Sequence, residues 1–455
     1  MNTLFSKILY KAYSLEQRLF GGWALWRSPL ARRAKEFFFV RMKPVVIDLK
    51  VCRLCGSKDL YKFLDLGNHP SSDAFLAKDE IEKEEPRFPL DVFLCRDCGQ
   101  AQLGSVVPPD YLYCKNYPYE SSTTKTGREH FFGMAKTICK RFGLGKNDLA
   151  IDMGSNVGIL LGGFRARGVR VLGVDPARIM AEIASINGIE TITDLFSSSL
   201  AKVILKKHGK ASVITGTNVF AHVKDVDDLV TGVKNLLTDK GAMVIEAPHF
   251  LELVKNTEYD TVYHEHLSYL SIKPLVRFFG KHGMELFDVE KAKIHGGSIR
   301  FYVCKAGAYP ASPAVAAAIK EEEAAGIHSE ERLRRFGASV EEQKKLLLKM
   351  LQDIKSRGQK VVGVSAPAKG NTLLNYCGIT TELLDYITEK AQMKVGLFTP
   401  GTHIPIYEDG KLLQDQPDYA LILAWNFADE IMANLSEFKK RGGKFIIPIP
   451  KPRIV

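Results

Sequence analysis

Apolar positions change their spacing several times along this 455-residue chain, and each change marks a different kind of segment. In the first stretch Leu4, Ile8, Ala12, Leu15 and Leu19 recur at helical spacing, with Lys7, Lys11 and Arg18 on a neighbouring face. That pattern predicts a basic amphipathic helix in an extension over 1–48. Residues 49–122 follow another rule: short strand-like runs at 61–66 and 90–94, Gly- and Pro-containing turns, then an aromatic bridge carrying Tyr111, Tyr113, Tyr117 and Tyr119. From Asp148 buried strands alternate with helices. Strands are expected at 149–153, 169–174, 212–215 and 242–245, the first running through a glycine turn into a helix that ends near Phe164. Runs at 284–289 and 299–304 read as a closing hairpin. This alternation predicts a parallel, doubly wound sheet over 123–308, with the hairpin supplying a late antiparallel strand.

Residues 309–357 read as a helical spacer rich in Ala, Glu and Lys. Over 340–354, Leu346, Leu347, Met350, Leu351 and Ile354 share one helical stripe. After Gly358 the rhythm resumes: strands at 360–364, 419–424 and 444–449, with helices at 371–377 and 429–440, predict a second α/β domain over 358–455. The expected fold class is therefore α/β, a small N-terminal module followed by two Rossmann-like domains. The length suits three domains of roughly 150 residues each.

Charge changes the picture only once it is located. Of the formal +11, residues 1–47 contribute a surplus of seven, from nine Lys or Arg against Glu16 and Glu36, leaving four for everything else. A nearly balanced body argues against nucleic acid as a partner. The longest apolar runs fall far short of the ~20 residues of a membrane span, and a secretory leader pattern is lacking. The basic helix, followed by Phe20, Trp23 and Trp26, leaves two readings open: contact of residues 1–40 with an anionic membrane surface, or docking on the protein's own body. The expected location is the cytoplasm, with peripheral membrane contact as the second reading. Oligomeric state is not encoded in any of these patterns.

Candidate chemistry begins with cysteine. Cys52-x-x-Cys55 and Cys95-x-x-Cys98 are two knuckles in a chain whose other four cysteines, Cys114, Cys139, Cys304 and Cys377, are scattered. Each knuckle puts two thiolates at one tight turn, and two knuckles make a closed four-thiolate zinc site with no position left for water. Such a metal is structural, so the reacting groups lie elsewhere. The few remaining cysteines suit a reducing compartment.

Three segments offer those groups. In the first, a strand runs into Asp152-Met153-Gly154-Ser155-Asn156-Val157-Gly158, where glycine lets backbone approach a ligand and the following helix offers unpaired N–H groups. Asp175, at the end of the next strand, is spaced to bond ribose hydroxyls. The spacing is Gly-x-x-x-Gly without a pyrophosphate fingerprint, which suits a nucleoside cofactor such as S-adenosylmethionine better than NAD. A plain structural turn is the alternative. The second segment, Tyr263-His264-Glu265-His266, crowds ionisable groups just after the fifth strand, where open α/β sheets bind ligands. It reads as a general base beside a carboxylate that raises its basicity, as a second metal site built on His-x-His, or as a polar surface turn. The third, Ser365-Ala366-Pro367-Ala368-Lys369-Gly370-Asn371, opens a helix whose N-terminus and lysine suit phosphate, although the glycine spacing is not that of a Walker loop.

Taken together, the chain resembles the zinc-containing sugar C-methyltransferases, which act on nucleotide-linked 4-keto-deoxysugars. The resemblance runs from about Val51 to Pro450. It is carried by Cys52-Arg53-Leu54-Cys55-Gly56, the Tyr117-Pro118-Tyr119 segment, the loop at 152–158, Tyr263 to Tyr269, His295-Gly296-Gly297-Ser298, the helix opening at Ala368, Pro400-Gly401-Thr402-His403 and the final 442–450 strand. It implies a zinc module, a central class I methyltransferase domain and a C-terminal α/β domain gripping the nucleotide sugar. It further implies His266 as base with Glu265 and Tyr263 beside it, and Tyr117 reaching into the cleft with Tyr119 as the fallback. Asp152, Gly154, Ser155, Asn156, Gly158, Asp175 and Asn218 would hold S-adenosylmethionine. Tyr119, His295, Lys369, Asn371, Thr402 and His403 would touch the sugar nucleotide, and Zn2+ would stay structural. In the implied chemistry the C4 ketone acidifies C3, His266 removes that proton, and the enolate takes the methyl group. Two features depart from the family pattern: the basic extension, and Val157 where the family usually carries Asp. O- or N-methylation of another acceptor is the nearest alternative, and a vestigial zinc-ribbon binding protein the more distant one.

Overall fold

In the computed structural model of the chain, residues 46–113, 125–294 and 296–455 are described, and 46–455 form one unit. Residues 1–45 of the N-terminal extension, Tyr117, Tyr119 and His295 lie outside the described residues. Among the described residues, no helix is long and apolar enough to cross a membrane.

The small module is an antiparallel sheet of β1 (Leu60–His69), β2 (Phe88–Cys95) and β3 (Ala101–Leu103). Helix α1 (Lys125–Phe142) leads into the central domain, whose parallel strands are β4 (Leu149–Met153), β5 (Arg170–Val174), β6 (Thr191–Ile192), β7 (Ala211–Thr217) and β8 (Leu237–Pro248). Helices α2 (Ile159–Arg165), α3 (Arg178–Ile186), α4 (Ser198–His208) and α5 (Val226–Leu236) connect them. After α6 (Phe250–Asn256) comes β9 (Ser268–Tyr269), then α7 (Ile272–Lys281), β10 (Met284–Ala292) and β11 (Ser298–Lys305). The seven-stranded order is β10-β11-β8-β7-β4-β5-β6, and the hairpin enters through an antiparallel β8–β11 ladder as the pattern predicts. Strand β9 does not join that sheet. It pairs with β3, Ser268 opposite Gln102 and Tyr269 opposite Ala101, so the methyltransferase segment supplies the fourth strand of the small module.

The expected spacer is part of the core. It forms α8 (Pro313–Ala324) and α9 (Glu330–Ser356), and α9 buries Leu333, Phe336, Val340, Gln343, Leu347, Leu351 and Ile354. Leu346 and Met350 are only half-buried, because the buried stripe runs through Gln343 instead. The polar Gln343 tolerates that place by accepting the Tyr259 hydroxyl at 2.6 Å and donating to the Pro448 carbonyl at 2.8 Å. Phe336 packs on Phe63 of β1, and one continuous apolar cluster joins Leu90, Phe250, Tyr259, Phe336 and Leu373. The modules therefore share a core.

The last domain is built on β12 (Val361–Val364), α10 (Ala368–Cys377), β13 (Ile387–Glu389), β14 (Ile406–Glu408), β15 (Tyr419–Ile422), β16 (Lys444–Ile447) and the antiparallel edge β17 (Arg453–Ile454), ordered β14-β13-β12-β15-β16-β17. The helix expected over 429–440 is two, α11 (Ala428–Asn434) and α12 (Ser436–Lys440), broken at Leu435.

Candidate active site

The glycine loop follows β4 and is tied to β5, with the Gly154 and Ser155 N–H groups donating to the Val174 carbonyl at 2.7 and 3.2 Å. Gly154 has φ +66°, and a Cβ there would lie 2.3 Å from Val219 Cγ2, so only glycine lets the loop pass this close to the segment after β7. Asp152 accepts the Thr215 hydroxyl at 2.7 Å, and burial pushes its carboxyl up to about 7 against that bond. Asp175 accepts the Asn156 N–H at 2.7 Å on one oxygen and the Ala177 N–H at 2.8 Å on the other. Its carboxylate thus shapes the loop, and each oxygen keeps a second lone pair for a hydroxyl. Among the described residues, Ser155 Oγ and Asn218 Oδ1 are buried without a hydrogen-bond partner. Orphaned polar atoms beside a glycine turn at a helix start fit a nucleoside cofactor, which would satisfy them.

Val157 is the apolar residue of that loop. It is buried with Ala177 and Met180, and Ile179 and Ile183 pack alongside. A carboxylate there would lose its water without a shown partner. Val157→Asp is expected to cost about 2–3 kcal/mol of stability and leave S-adenosylmethionine affinity no tighter than wild type, checked by thermal melts and calorimetry.

The ionisable segment sits between α6 and β9. His266 is 7% exposed, and its Nδ1 lies 2.7 Å from the Thr261 carbonyl, which can only accept. The proton is therefore on Nδ1 and the lone pair of the neutral ring on Nε2. Its ring centroid stands 3.9 Å from that of Tyr263 and 5.0 Å from that of His222. His222 in turn stacks at 5° on Tyr113, with centroids 6.2 Å apart. Among the described residues its Nε2 is buried without a partner; burial first, then the charge of His266, hold its pKa well below the usual imidazole range.

The neighbours of His266 do other work. Glu265 turns toward the small module, accepting the Ser71 hydroxyl at 3.3 Å, and among the described residues its Oε2 is buried without a partner. Burial, then the charge of Asp73, push its carboxyl up to about 8. The His266 ring is thus oriented through Nδ1 by the Thr261 carbonyl, while the adjacent Glu265 bonds Ser71. His264 is spent on structure: it is 1% exposed, donates from Nε2 to the Phe88 carbonyl at 3.2 Å and meets the Phe88 ring edge-on. Among the described residues, the four cysteines are the one group of three or more side chains placed to hold a metal.

Burial pulls the His264 pKa down to about 3. The unfolded chain binds the proton more tightly, so the stability this group contributes is complete above pH ~6.5 and is lost as pH falls toward about 3. Melting temperature is expected to fall across that window, and His264→Gln to flatten part of the slope.

The cysteines form the metal centre. Their four Sγ atoms lie within 4.8 Å of one another, with Cys52–Cys98 at 3.5 Å and Cys55–Cys95 at 3.6 Å. A tetrahedral site with ~2.3 Å zinc–sulfur bonds needs sulfurs ~3.8 Å apart, so the set fits zinc. The two knuckles share one geometry: Gly56 N–H donates to the Cys52 carbonyl and Gly99 N–H to the Cys95 carbonyl, both at 2.9 Å.

Residues proposed from the sequence for the sugar nucleotide separate into two groups. Of the two on α10, Lys369 faces the segment leading to His266 and Asn371 the small module. Lys369 Nζ lies 4.4 Å from the centroid of the Trp425 ring, whose Nε1–H donates to Asp260 at 2.6 Å. Burial pulls the Lys369 pKa down against Asp260 and Glu258, and pushes Asp260 up to about 6. Asn371 donates to the Ser72 carbonyl at 2.6 Å and keeps a buried Oδ1 without a partner among the described residues. Thr402 and His403 are committed elsewhere, Thr402 to Thr399 at 2.8 Å and His403 to Glu85 of the small module at 2.6 Å.

Comparison with known proteins matches this organisation. Residues 52–113 match a zinc binding domain model, 129–289 a methyltransferase domain model, and 293–450 a model described as the C-methyltransferase C-terminal domain. The chain is similar to C-methyltransferase NovU of Streptomyces niveus, 36% identical over 415 residues that make up 91% of this chain and 99% of that protein. The chain belongs to the zinc-binding, S-adenosylmethionine-dependent C-methyltransferases. Among solved structures, the chain is similar to a S-adenosylmethionine-dependent methyltransferase of Clostridium acetobutylicum (14% identity, 40% of this chain and 92% of that chain, TM-score 0.31). It is likewise similar to the magnesium protoporphyrin IX methyltransferase of Synechocystis PCC 6803 (15%, 39% and 83%, TM-score 0.32).

For a C-methyltransferase the structure adds residues that sequence reasoning did not single out. His222 follows β7 in Ala221-His222-Val223, a lone histidine with no spacing signature, and only the fold brings it to His266. Tyr113 reaches it from the small module, and Ser71 reaches Glu265.

Proposed function

We propose that this enzyme methylates the carbon next to the ketone of a nucleotide-linked 4-keto-deoxysugar, with His266 as the base. The observation that carries this reading is the His266 ring, held by Thr261 with its lone pair on Nε2 and packed between Tyr263 and His222 at the carboxyl end of the parallel sheet. Carbon becomes nucleophilic only when a proton beside a carbonyl leaves. His266 Nε2 takes that proton, and the C–H electron pair moves into the enolate. His222, neutral because it is buried, adds no positive charge that would weaken the base. Tyr263, and Tyr117 from the bridge, are proposed to hydrogen-bond the oxyanion, a role worth about 100- to 1,000-fold in rate per donor. Glu265 enters as a protonated donor. When bound, S-adenosylmethionine supplies an electrophilic methyl group.

Residues 49–122 would then frame the cleft, 123–308 hold the cofactor through Asp152, Gly154, Ser155, Asn156, Gly158, Asp175 and Asn218, and 358–455 hold the nucleotide through Lys369 and Asn371. Tyr119 and His295 remain proposed sugar contacts, and Thr402 and His403 would have to leave Thr399 and Glu85 to join them. The test is product analysis with S-adenosylmethionine and a panel of 4-keto nucleotide sugars. A new methyl group on carbon supports the reading, and a methyl found only on oxygen or nitrogen overturns it.

A further inference from the structure

The zinc module touches the site at one side chain in particular. Arg53 lies between two zinc ligands, and its backbone N–H donates to Gln102 Oε1 at 2.8 Å. Gln102 also donates to the Val51 carbonyl at 3.1 Å, which fixes the knuckle on β3. From this anchored backbone the guanidinium reaches two loops of the methyltransferase domain. Nη2 donates to the carbonyls of Val223 and of Lys224, the latter at 3.2 Å, and Nε donates to Ser268 Oγ at 3.2 Å. Val223 is the residue after His222, and Ser268 is two residues after His266. Ser268 is itself paired with Gln102 across the β3–β9 ladder. One planar, five-donor group therefore stitches the zinc knuckle to both histidine loops, whose ring centroids stand 5.0 Å apart.

We propose that Arg53 is a positioning residue: it holds the His222 and His266 loops at their mutual spacing, so that the zinc knuckle sets the geometry of proton removal. The proposal rests on the reading of His266 as base. Arg53 touches no reacting atom. Its role needs the fork of a guanidinium, because a lysine ammonium on a flexible stem cannot hold both loops with fixed geometry. Zinc enters only by folding the knuckle that presents Arg53. That gives the metal an influence on the reaction while its four thiolate positions remain closed.

The test uses the full-length, zinc-loaded protein with Arg53→Lys, zinc content being measured on the same samples. The substrate probe is a thymidine-diphosphate-linked 4-keto-deoxyhexose. Activity per zinc-loaded molecule is expected to fall about 10- to 100-fold in kcat, while the Kd for S-adenosylmethionine moves less than about threefold. In 15N-histidine spectra, the His222 and His266 ring signals, assigned by their alanine variants, are expected to shift while the other histidines hold still. Unmoved ring signals, or wild-type kcat per zinc-loaded molecule, would overturn the proposal. If the lysine variant fails to keep zinc, Ser268→Ala reads the same contact from outside the knuckle: a shifted His266 signal supports the proposal, and an unmoved one sinks it. Wild-type turnover by His266→Ala would remove the base reading instead, leaving the Arg53 ring-shift result to stand by itself.

Discussion

His266→Ala is expected to bind S-adenosylmethionine with wild-type affinity and to lose turnover by about 100- to 10,000-fold, the range contributed by a positioned general base. Binding is expected to survive because the proposed cradle, the loop after β4 with Asp175 and Asn218, is held by bonds to Val174, Asn156, Ala177 and Glu246. Turnover fails because, once Nε2 is gone, the base proposed for the carbon acid is gone too. Its neighbour Glu265 is a poor substitute, since its side chain bonds Ser71 and burial pushes its carboxyl well above the usual carboxylate range. Alanine also opens a gap beside Tyr263 and His222, so His266→Asn is the sharper companion. An asparagine amide can still donate toward Thr261 but offers no basic nitrogen. Equal losses in both variants, with unchanged melting temperature in the second, would assign the effect to proton removal. A His266→Asn enzyme within tenfold of wild type would show that the base lies elsewhere.

Removing the metal is the second large effect. Cys95→Ala, or stripping with a chelator, is expected to lower the melting temperature by more than about 10 °C and abolish turnover. Structural zinc binding is worth about 10–16 kcal/mol in small zinc-stapled modules, and that energy is folding energy. Here the module cannot fail alone. Cys95 and Cys98 lie in the same apolar cluster as Leu229 and Phe278 of the central domain, and β9, the strand that follows His266, is the fourth strand of the module's sheet. Loss of the knuckle is therefore expected to free the strand beside His266. Cys139→Ala, a buried cysteine outside the set, is the control and should keep both metal and activity. Full activity in a metal-free protein would separate the zinc module from the site.

What the sequence disclosed follows from how local each signal is. The glycine turn, the two knuckles and the hairpin at 284–304 are written in neighbouring residues, so their elements and roles are legible from spacing. Strands β9, β13 and β14 are two or three residues long and owe their existence to distant partners, such as Gln102 for Ser268. No local period could reveal them. The segment over 309–357 looked like a spacer because its composition is charged, yet α9 turns one stripe into a core shared by three modules. Spacing singles out Asp175 as a ribose contact, and the bonds its carboxylate makes in the fold are to the Asn156 and Ala177 N–H groups. Thr402 and His403 show the reverse limit: residues of the right type in a suggestive motif, already held by Thr399 and by Glu85 from the other end of the chain. His222 needed the fold outright.

The decisive measurement is hydrogen exchange at the substrate carbon. A 4-keto nucleotide sugar is incubated in deuterated buffer with enzyme but without S-adenosylmethionine, and wild type is compared with His266→Ala. The mechanism predicts deuterium entering at the carbon beside the ketone with wild type and not with the variant, because proton removal precedes methyl transfer. A wild-type enzyme that methylates the sugar yet exchanges nothing, or a variant that exchanges as fast as wild type, would contradict it.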